Sequence, residues 1–324
     1  GVILRVMFYN DQKMKEILQD ESLAKLRDLM FPSEYNAWIT DDDITPKKMS
    51  ESFRGVGNYA ERLNFLKTHI ETGEITREKV YSESELKADS SKVCVQVLEY
   101  RKRESNKVAI IIPGGGYSNV CSFSEGWPIA QELFERGYNC FVLYYRVFPN
   151  AYMPNPIEDV ARLVKRIKEN YPDLDLNGYL MLGFSAGGHL AGIWATKQGY
   201  YRYGLPKPKY IALAYPVIDL SLNKGVSRQN CLHKDCSGED LIRYSVFTNV
   251  DKDYPVTYLW QGKRDQCISF DNSGVMDKVL KENDVKHKYV VYDDTCHGFG
   301  VGVGTCAEGW IDDMLKFFNE NNKE

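Results

Sequence analysis

Ser185 stands in Gly183-Phe184-Ser185-Ala186-Gly187, between the apolar run Tyr179-Leu180-Met181-Leu182 and the helix-like Gly188-His189-Leu190-Ala191-Gly192-Ile193-Trp194-Ala195. A strand, a sharp Gly-x-Ser-x-Gly turn and a helix lift a serine hydroxyl out of the backbone as a nucleophile. The glycines answer a steric demand: the turn brings neighbouring segments so close that bulky side chains two residues either side of the serine would collide. The following helix presents its N-terminal amides and the positive end of its dipole to the same point, which favours a developing oxyanion.

Such a serine needs a base, and the base needs an acid to orient it, which the fold-independent logic of acyl transfer supplies as histidine and carboxylate. Downstream lie His189, His233, His287 and His297. His189, four residues on along the same helix, projects away from the turn and reads as a packing residue. His287 opens Lys288-Tyr289-Val290-Val291-Tyr292, at the strand end opposite the site, and His233 lies in the irregular Cys231-Leu232-His233-Lys234-Asp235-Cys236. His297 follows the last strand, in Thr295-Cys296-His297-Gly298-Phe299-Gly300, and is the expected base. The run Val256-Thr257-Tyr258-Leu259-Trp260 opens into a loop containing Asp265, the expected acid. Asp271 is the alternative, although its place before Asn272-Ser273-Gly274-Val275-Met276 fits a helix cap. Asp293 and Asp294 read as a solvated strand end.

The third requirement is a set of donors for the carbonyl oxygen. Lys107-Val108-Ala109-Ile110-Ile111-Ile112 reads as a buried strand and runs into Pro113-Gly114-Gly115-Gly116-Tyr117. The N–H groups of Gly115, Gly116 and Ala186 are the expected oxyanion hole, with the choice of glycine open by one residue.

The elements that must position these groups alternate in type. Strand-like runs recur at Val93–Leu98, Cys140–Tyr145 and Tyr210–Tyr215. Between them lie segments of helical period. In the clearest, Asn155 and Pro156 supply a cap and first position with Glu158 at N3, and Ile157, Val160, Ala161, Val164 and Ile167 share one face before Tyr171-Pro172. Others run from Ser124 to Arg136, ending at Gly137, and through Trp310, Ile311, Met314, Leu315 and Phe318. This alternation predicts an α/β domain over residues 91–324, a mostly parallel sheet with helices on both faces that binds ligands at its strands' C-terminal ends. Residues 1–90 read differently, with helices near Lys13–Met30 and Asn58–Ile70, and are expected to form a helical extension or cap.

Length and a 43% hydrophobic content allow one large core in the 324 residues. A net charge of −4 without a Lys/Arg stripe argues against nucleic acid as a partner. No apolar run approaches the roughly 20 residues that span a bilayer, so no membrane partner is expected. The eight cysteines lack a small-domain framework and favour reduced thiols in a cytoplasm. The chain starts at Gly1 and Val2–Phe8 is too short for an intact signal peptide, so secretion after leader removal stays open. Cys231-x-His233-x-x-Cys236 has irregular spacing for zinc, and no metal or other cofactor is expected. Cys267 and Cys296 read as small packing residues.

From about Lys92 to Phe318 the chain resembles the serine α/β-hydrolases, and particularly their carbohydrate acetylesterase branch, the acetylxylan-esterase-like proteins. The resemblance is carried by Pro113–Tyr117, Ser124-Glu125-Gly126, Tyr144-Tyr145-Arg146-Val147, Gly183–Leu190, Asp265-x-x-Ile268 and His297-Gly298-Phe299. One departure is Ile112-Pro113, where many esterases carry a histidine that braces the glycine loop. The resemblance implies an α/β-hydrolase fold and cleavage of small acyl esters, acetyl above all, on a small-molecule or oligosaccharide substrate. Tyr117, Trp127 and Arg146 are expected to shape the acyl or sugar site, with packing against loops as the alternative for the two aromatics. An aryl-formamidase or small peptidase on the same machinery, and a non-catalytic binding protein of this fold, stay open, as does a homo-oligomer.

Overall fold

The computed structural model describes residues 7–222, 225–293 and 297–322. Its strands are β1 (Ile75–Lys79), β2 (Gln96–Tyr100), β3 (Val108–Ile112), β4 (Asn139–Tyr144), β5 (Leu180–Phe184), β6 (Tyr210–Ala214), β7 (Val256–Gly262) and β8 (His287–Tyr292). They form one sheet in the order β1-β2-β4-β3-β5-β6-β7-β8. The first two pairings are antiparallel, and from β4 to β8 every pairing is parallel. The expected α/β architecture is therefore present.

Alternation along each strand divides the core between two faces. Ala109 and Ile111 of β3, Leu180 and Leu182 of β5, and Trp260 of β7 join the face covered by helices Trp127–Glu135 and Trp310–Glu320. Val108, Ile110, Met181 and Leu259 join the other, covered by helices Asn155–Asn170, Ala186–Trp194 and Asp271–Glu282. In Asn155–Asn170 the stripe Ile157, Val160, Val164 and Ile167 is buried as its period requires. Asn155 is the first helical residue there and not the cap, its side chain donating instead to the Asn150 carbonyl at 3.2 Å.

The first ninety residues depart from a purely helical extension. Residues 13–30 break into three short helices, Met14–Ile17, Glu21–Ala24 and Arg27–Met30, because Asp20 accepts the Ser22 amide at 3.0 Å and starts a new turn. Helix Tyr59–Glu71 is continuous, opened by Asn58, whose side chain accepts the Glu61 amide. β1 adds an edge strand to the sheet. Its sequence Ile-Thr-Arg-Glu-Lys carries only one buried apolar residue, so hydrophobic alternation does not signal it. The strand expected at Val93–Leu98 starts later: Asp89 accepts the amide and hydroxyl of Ser91, and residues Ser90–Cys94 form a tight 3₁₀ turn.

Met14, Ile17, Leu23, Leu63 and Leu66 share the core of the face that holds Trp127 and Trp310. No helix among the described residues is long and apolar enough to cross a membrane. A second tie reaches toward the site: the Val303 amide donates to the Gly55 carbonyl at 2.9 Å, joining the N-terminal segment to the loop that carries His297. Gly55 has φ +96°, and a Cβ there would lie 2.1 Å from the Phe299 carbonyl oxygen. A Gly55→Ala variant is expected to lose about 1–3 kcal/mol by displacing the Phe299 segment of the His297 loop. Thermal denaturation checks this, and an unchanged midpoint would refute the clamp.

Candidate active site

Steric closeness at the end of β5 sets the geometry. Ser185 has φ 56° and ψ −119°, a strained conformation held by its amide on the Ala214 carbonyl at 3.0 Å and its carbonyl on the Val217 amide at 3.1 Å. A Cβ at Gly183 would lie 2.4 Å from the Gly187 carbonyl oxygen, and one at Gly187 would lie 2.1 Å from that of Ile112. Only glycine fits either position, and the second contact joins the nucleophile turn to the end of β3.

The structure brings Ser185, His297 and Asp265 into one chain of hydrogen bonds. His297 Nε2 lies 2.7 Å from Ser185 Oγ, and Nδ1 lies 2.7 Å from Asp265 Oδ2. A carboxylate accepts only, so Nδ1 carries the proton and Nε2 accepts from the serine hydroxyl. Asp265 is buried and its position is fixed by the Cys267 and Ile268 amides on Oδ1, at 2.9 and 2.8 Å, and by Gln261 Nε2 on Oδ2 at 3.1 Å.

Gly115 and Gly116 turn the loop after β3 with φ +134° and +64°. Among the described residues neither amide has an acceptor within the protein. Ala186 is the first residue of its helix, where the N–H has no intrahelical partner. These three amides are the donors available to an oxyanion. The brace that Ile112-Pro113 does not provide comes from other directions. Tyr145 Oη donates to the Pro113 carbonyl, the Gly114 amide donates to Glu125 Oε1 at 3.0 Å, and Tyr117 Oη donates to His189 Nδ1 at 2.7 Å.

These groups face a cleft of about 730 Å³. Gly115, Gly116, Ser185 and His297 line its base, and Tyr35, Ser52, Phe53 and Arg54 of the N-terminal region form one wall with Phe123. Phe53 and Tyr35 pack on the Phe123 ring with centroids 4.4 and 5.1 Å apart. Cys267, expected to be a packing residue, is exposed and lines the cleft.

The three residues expected to shape the acyl or sugar site stand elsewhere. Tyr117 is fully buried with its hydroxyl spent on His189. Trp127 is buried among Phe31 and Tyr59, its indole N–H on the Met30 carbonyl. Arg146, 1% exposed, ion-pairs with the fully buried Asp159 at 3.0 Å and reaches Asp89 and Glu158 at 3.5 Å. A Tyr, Trp or Arg beside a motif carries no sequence mark of whether it faces a cleft or the core.

The remaining candidates also fall outside the cleft. Asp271 lies in the first turn of its helix, His287 bonds Asp277 at the far end of β8, and Asp293 pairs with Lys263 on the surface. His233 stacks on Tyr152, and no group of three metal-ligating side chains gathers among the described residues. Asp294 and Cys296 lie outside the described residues. A cap was among the expectations for residues 1–90, but none of its residues, and not Glu125, was singled out for the site; for Glu125 the only signal was its place in Ser124-Glu125-Gly126.

Fold and site together define an esterase-like α/β-hydrolase. The BD-FAE family profile matches residues 97–280, more than half of the chain, and the chain belongs to that family. Endo-1,4-beta-xylanase B of Butyrivibrio fibrisolvens is 28% identical over 250 residues, covering 72% of this chain and 39% of that protein. Acetylxylan esterase of Xylanibacter ruminicola is 30% identical over 132 residues, covering 40% of this chain and 26% of that protein. The chain thus spans well under half the length of these curated relatives. The crystal structure of an acetyl ester-xyloside bifunctional hydrolase from Caldicellulosiruptor lactoaceticus is similar with a TM-score of 0.65 at 25% identity, over 76% of this chain and 94% of that one.

Two outcomes follow from the buried polar groups. Arg146→Ala leaves Asp159 unpaired in the core and is expected to cost about 3–5 kcal/mol, with KM of the folded enzyme unchanged; a raised KM at unchanged stability would return Arg146 to the substrate. His189 donates from Nε2 to the Tyr244 carbonyl, and burial pushes its pKa down to about 4. The folded state therefore resists protonation that the unfolded chain accepts, so this contribution is complete above about pH 6.5 and is lost as pH falls toward 4. His189→Gln is expected to flatten the slope of stability in that window by up to one proton, about 1.4 kcal/mol per pH unit, measured by denaturant titration across pH.

Proposed function

We propose that this chain is a serine esterase that removes small acyl groups, acetyl above all, from carbohydrate. The observation that carries the proposal is the hydrogen-bonded chain Asp265–His297–Ser185, with 2.7 Å at each imidazole nitrogen, at the base of an open cleft. In the proposed mechanism Ser185 Oγ attacks the ester carbonyl while His297 Nε2 takes its proton, Asp265 stabilises the imidazolium, and the amides of Gly115, Gly116 and Ala186 receive the oxyanion. The imidazolium then protonates the leaving alcohol, and water, activated by the same histidine, releases the acid.

The carbohydrate part of the reading rests on two supports. Two relatives are an acetylxylan esterase and an acetyl ester-xyloside hydrolase by name. The wall formed by Tyr35, Phe53 and Phe123 offers aromatic faces of the kind on which the C–H face of a sugar ring packs. On this reading residues 1–90 act as a cap that completes the cleft of a catalytic domain over residues 91–324.

Acetate release from acetylated xylo-oligosaccharides, alongside p-nitrophenyl acetate and butyrate, is the test. Rapid sugar deacetylation with weak butyrate turnover is expected, and Ser185→Ala should lower kcat about 10⁴-fold or more. Activity on the aryl esters alone would keep the serine chemistry and discard the sugar, directing the search to other esters and to amides. Near-normal turnover by Ser185→Ala would overturn the mechanism.

A further inference from the structure

Glu125 is 4% exposed at the inner edge of the cleft, and a buried carboxylate is costly unless its oxygens are well supplied with donors. Burial pushes its pKa up, while the Tyr215 hydroxyl, the His297 side chain and the Gly114 amide act in the opposite direction. It forms no hydrogen bond to Ser185 or to His297, so it neither takes nor gives the proton of the acyl transfer. Its two oxygens instead reach two different loops. Oε1 accepts the Gly114 amide at 3.0 Å, immediately before the glycines of the oxyanion loop. Oε2 accepts the Tyr215 hydroxyl, whose oxygen in turn accepts the Gly300 amide at 3.0 Å, three residues after the base.

Tyr215 is itself held tightly. It sits at φ 37° just past β6, with its amide on the Trp260 carbonyl at 2.8 Å, and its ring packs edge-on against the His297 imidazole with centroids 4.6 Å apart. The loops it connects are in contact as well: a Cβ at Gly300 would lie 2.6 Å from the Ser124 carbonyl oxygen. A Gly114 Cβ would lie 3.0 Å from Glu125 Oε1 and 2.9 Å from Ser185 Cβ, so the loop cannot be fixed there by a bulkier residue of its own.

We propose that Glu125 is the positioning residue of this active site, a carboxylate that ties the oxyanion loop to the base loop through the Gly114 amide on one side and Tyr215 and the Gly300 amide on the other. The inference rests on the esterase reading above. Oxyanion donors and the base act only at well-defined distances from the reacting carbonyl, and Gly115, Gly116 and His297 all sit on glycine-rich loops without regular secondary structure. One buried acceptor side chain shared between them fixes the two in a common frame, in the place where a histidine before the glycine run would brace only the first.

The test is a graded series read as kcat per active site, the sites being counted with a fluorophosphonate probe. Glu125→Gln keeps an acceptor for the Gly114 amide but leaves the Tyr215 hydroxyl hydrogen without its carboxylate, and is expected to lower kcat about 10-fold. Glu125→Ala loses both ties and is expected to lower kcat about 100-fold, the order seen when one oxyanion donor is removed. KM should stay within about threefold in both. Tyr215→Phe should lower kcat about 10-fold, and adding it to Glu125→Ala should cost little more, because both act through one connection. A role in folding alone would lower the denaturation midpoint and the number of titratable sites, yet leave kcat per site intact. Full kcat per site in Glu125→Gln and Glu125→Ala, with Ser185→Ala inactive, would overturn this inference alone. Turnover by Ser185→Ala would overturn the esterase reading and this inference with it.

Discussion

The contact between Gly187 and the end of β3 is the constraint on which the site depends. A Cβ at Gly187 would be 2.1 Å from the Ile112 carbonyl oxygen and 2.3 Å from that of Pro113. Because the backbones meet there, the nucleophile turn and the glycine loop are adjacent in space, and the amides of Ala186 and Gly115–Gly116 can converge on one point. Parallel pairing of β3 with β5, in register from Ala109–Leu180 to Ile112–Gly183, delivers the two strand ends to the same level. Sheet register, a steric gap that only glycine tolerates, and the position of three amides are thus one arrangement.

Around that contact the candidate base and acid are added from the other half of the sheet. β7 and β8 end at the same edge as β5, so the loops that follow them bring Asp265 and His297 toward Ser185. The acid is fixed by two backbone amides and a glutamine from its own strand, and the base by the acid. Asp265, Gly114 and Gly300 are each held by such bonds, which is how irregular backbone keeps the precision that the proposed acyl transfer requires.

The N-terminal ninety residues enter the same arrangement from outside. Tyr59 Oη bonds the Phe123 carbonyl, Ser122 Oγ bonds the Leu29 carbonyl at 2.8 Å, and Gly55 pairs with Val303. These ties anchor the short helix that carries Glu125 and the loop that carries His297. The region therefore contributes a cleft wall and also the backing of two loops, and its hydrophobic side chains are continuous with one face of the sheet.

Much of this was legible in the chain itself. Gly-x-Ser-x-Gly after an apolar strand, Asp265 and His297 each in a loop after a strand, and a glycine run after β3 are local patterns, and local patterns place residues at the C-terminal edge of a parallel sheet. Other features depended on what lies across the fold. Tyr117, Trp127 and Arg146 sit beside the motifs in sequence, but their partners are His189, Met30 and Asp159, and only tertiary packing decides that these side chains turn inward. β1 is polar because it lies at a sheet edge, and residues 13–30 are helix-like in period but break where Asp20 caps a new turn. The roles of Tyr35 and Phe53, and the tie from Glu125 to Tyr215, arise from residues 70 to 90 positions apart, a separation over which neither spacing nor periodicity carries information. The sequence by itself determined the candidate serine, acid and base and the strand ends that hold them; the tertiary structure decided which side chains meet the cleft, because burial is a property of the neighbours and not of the residue.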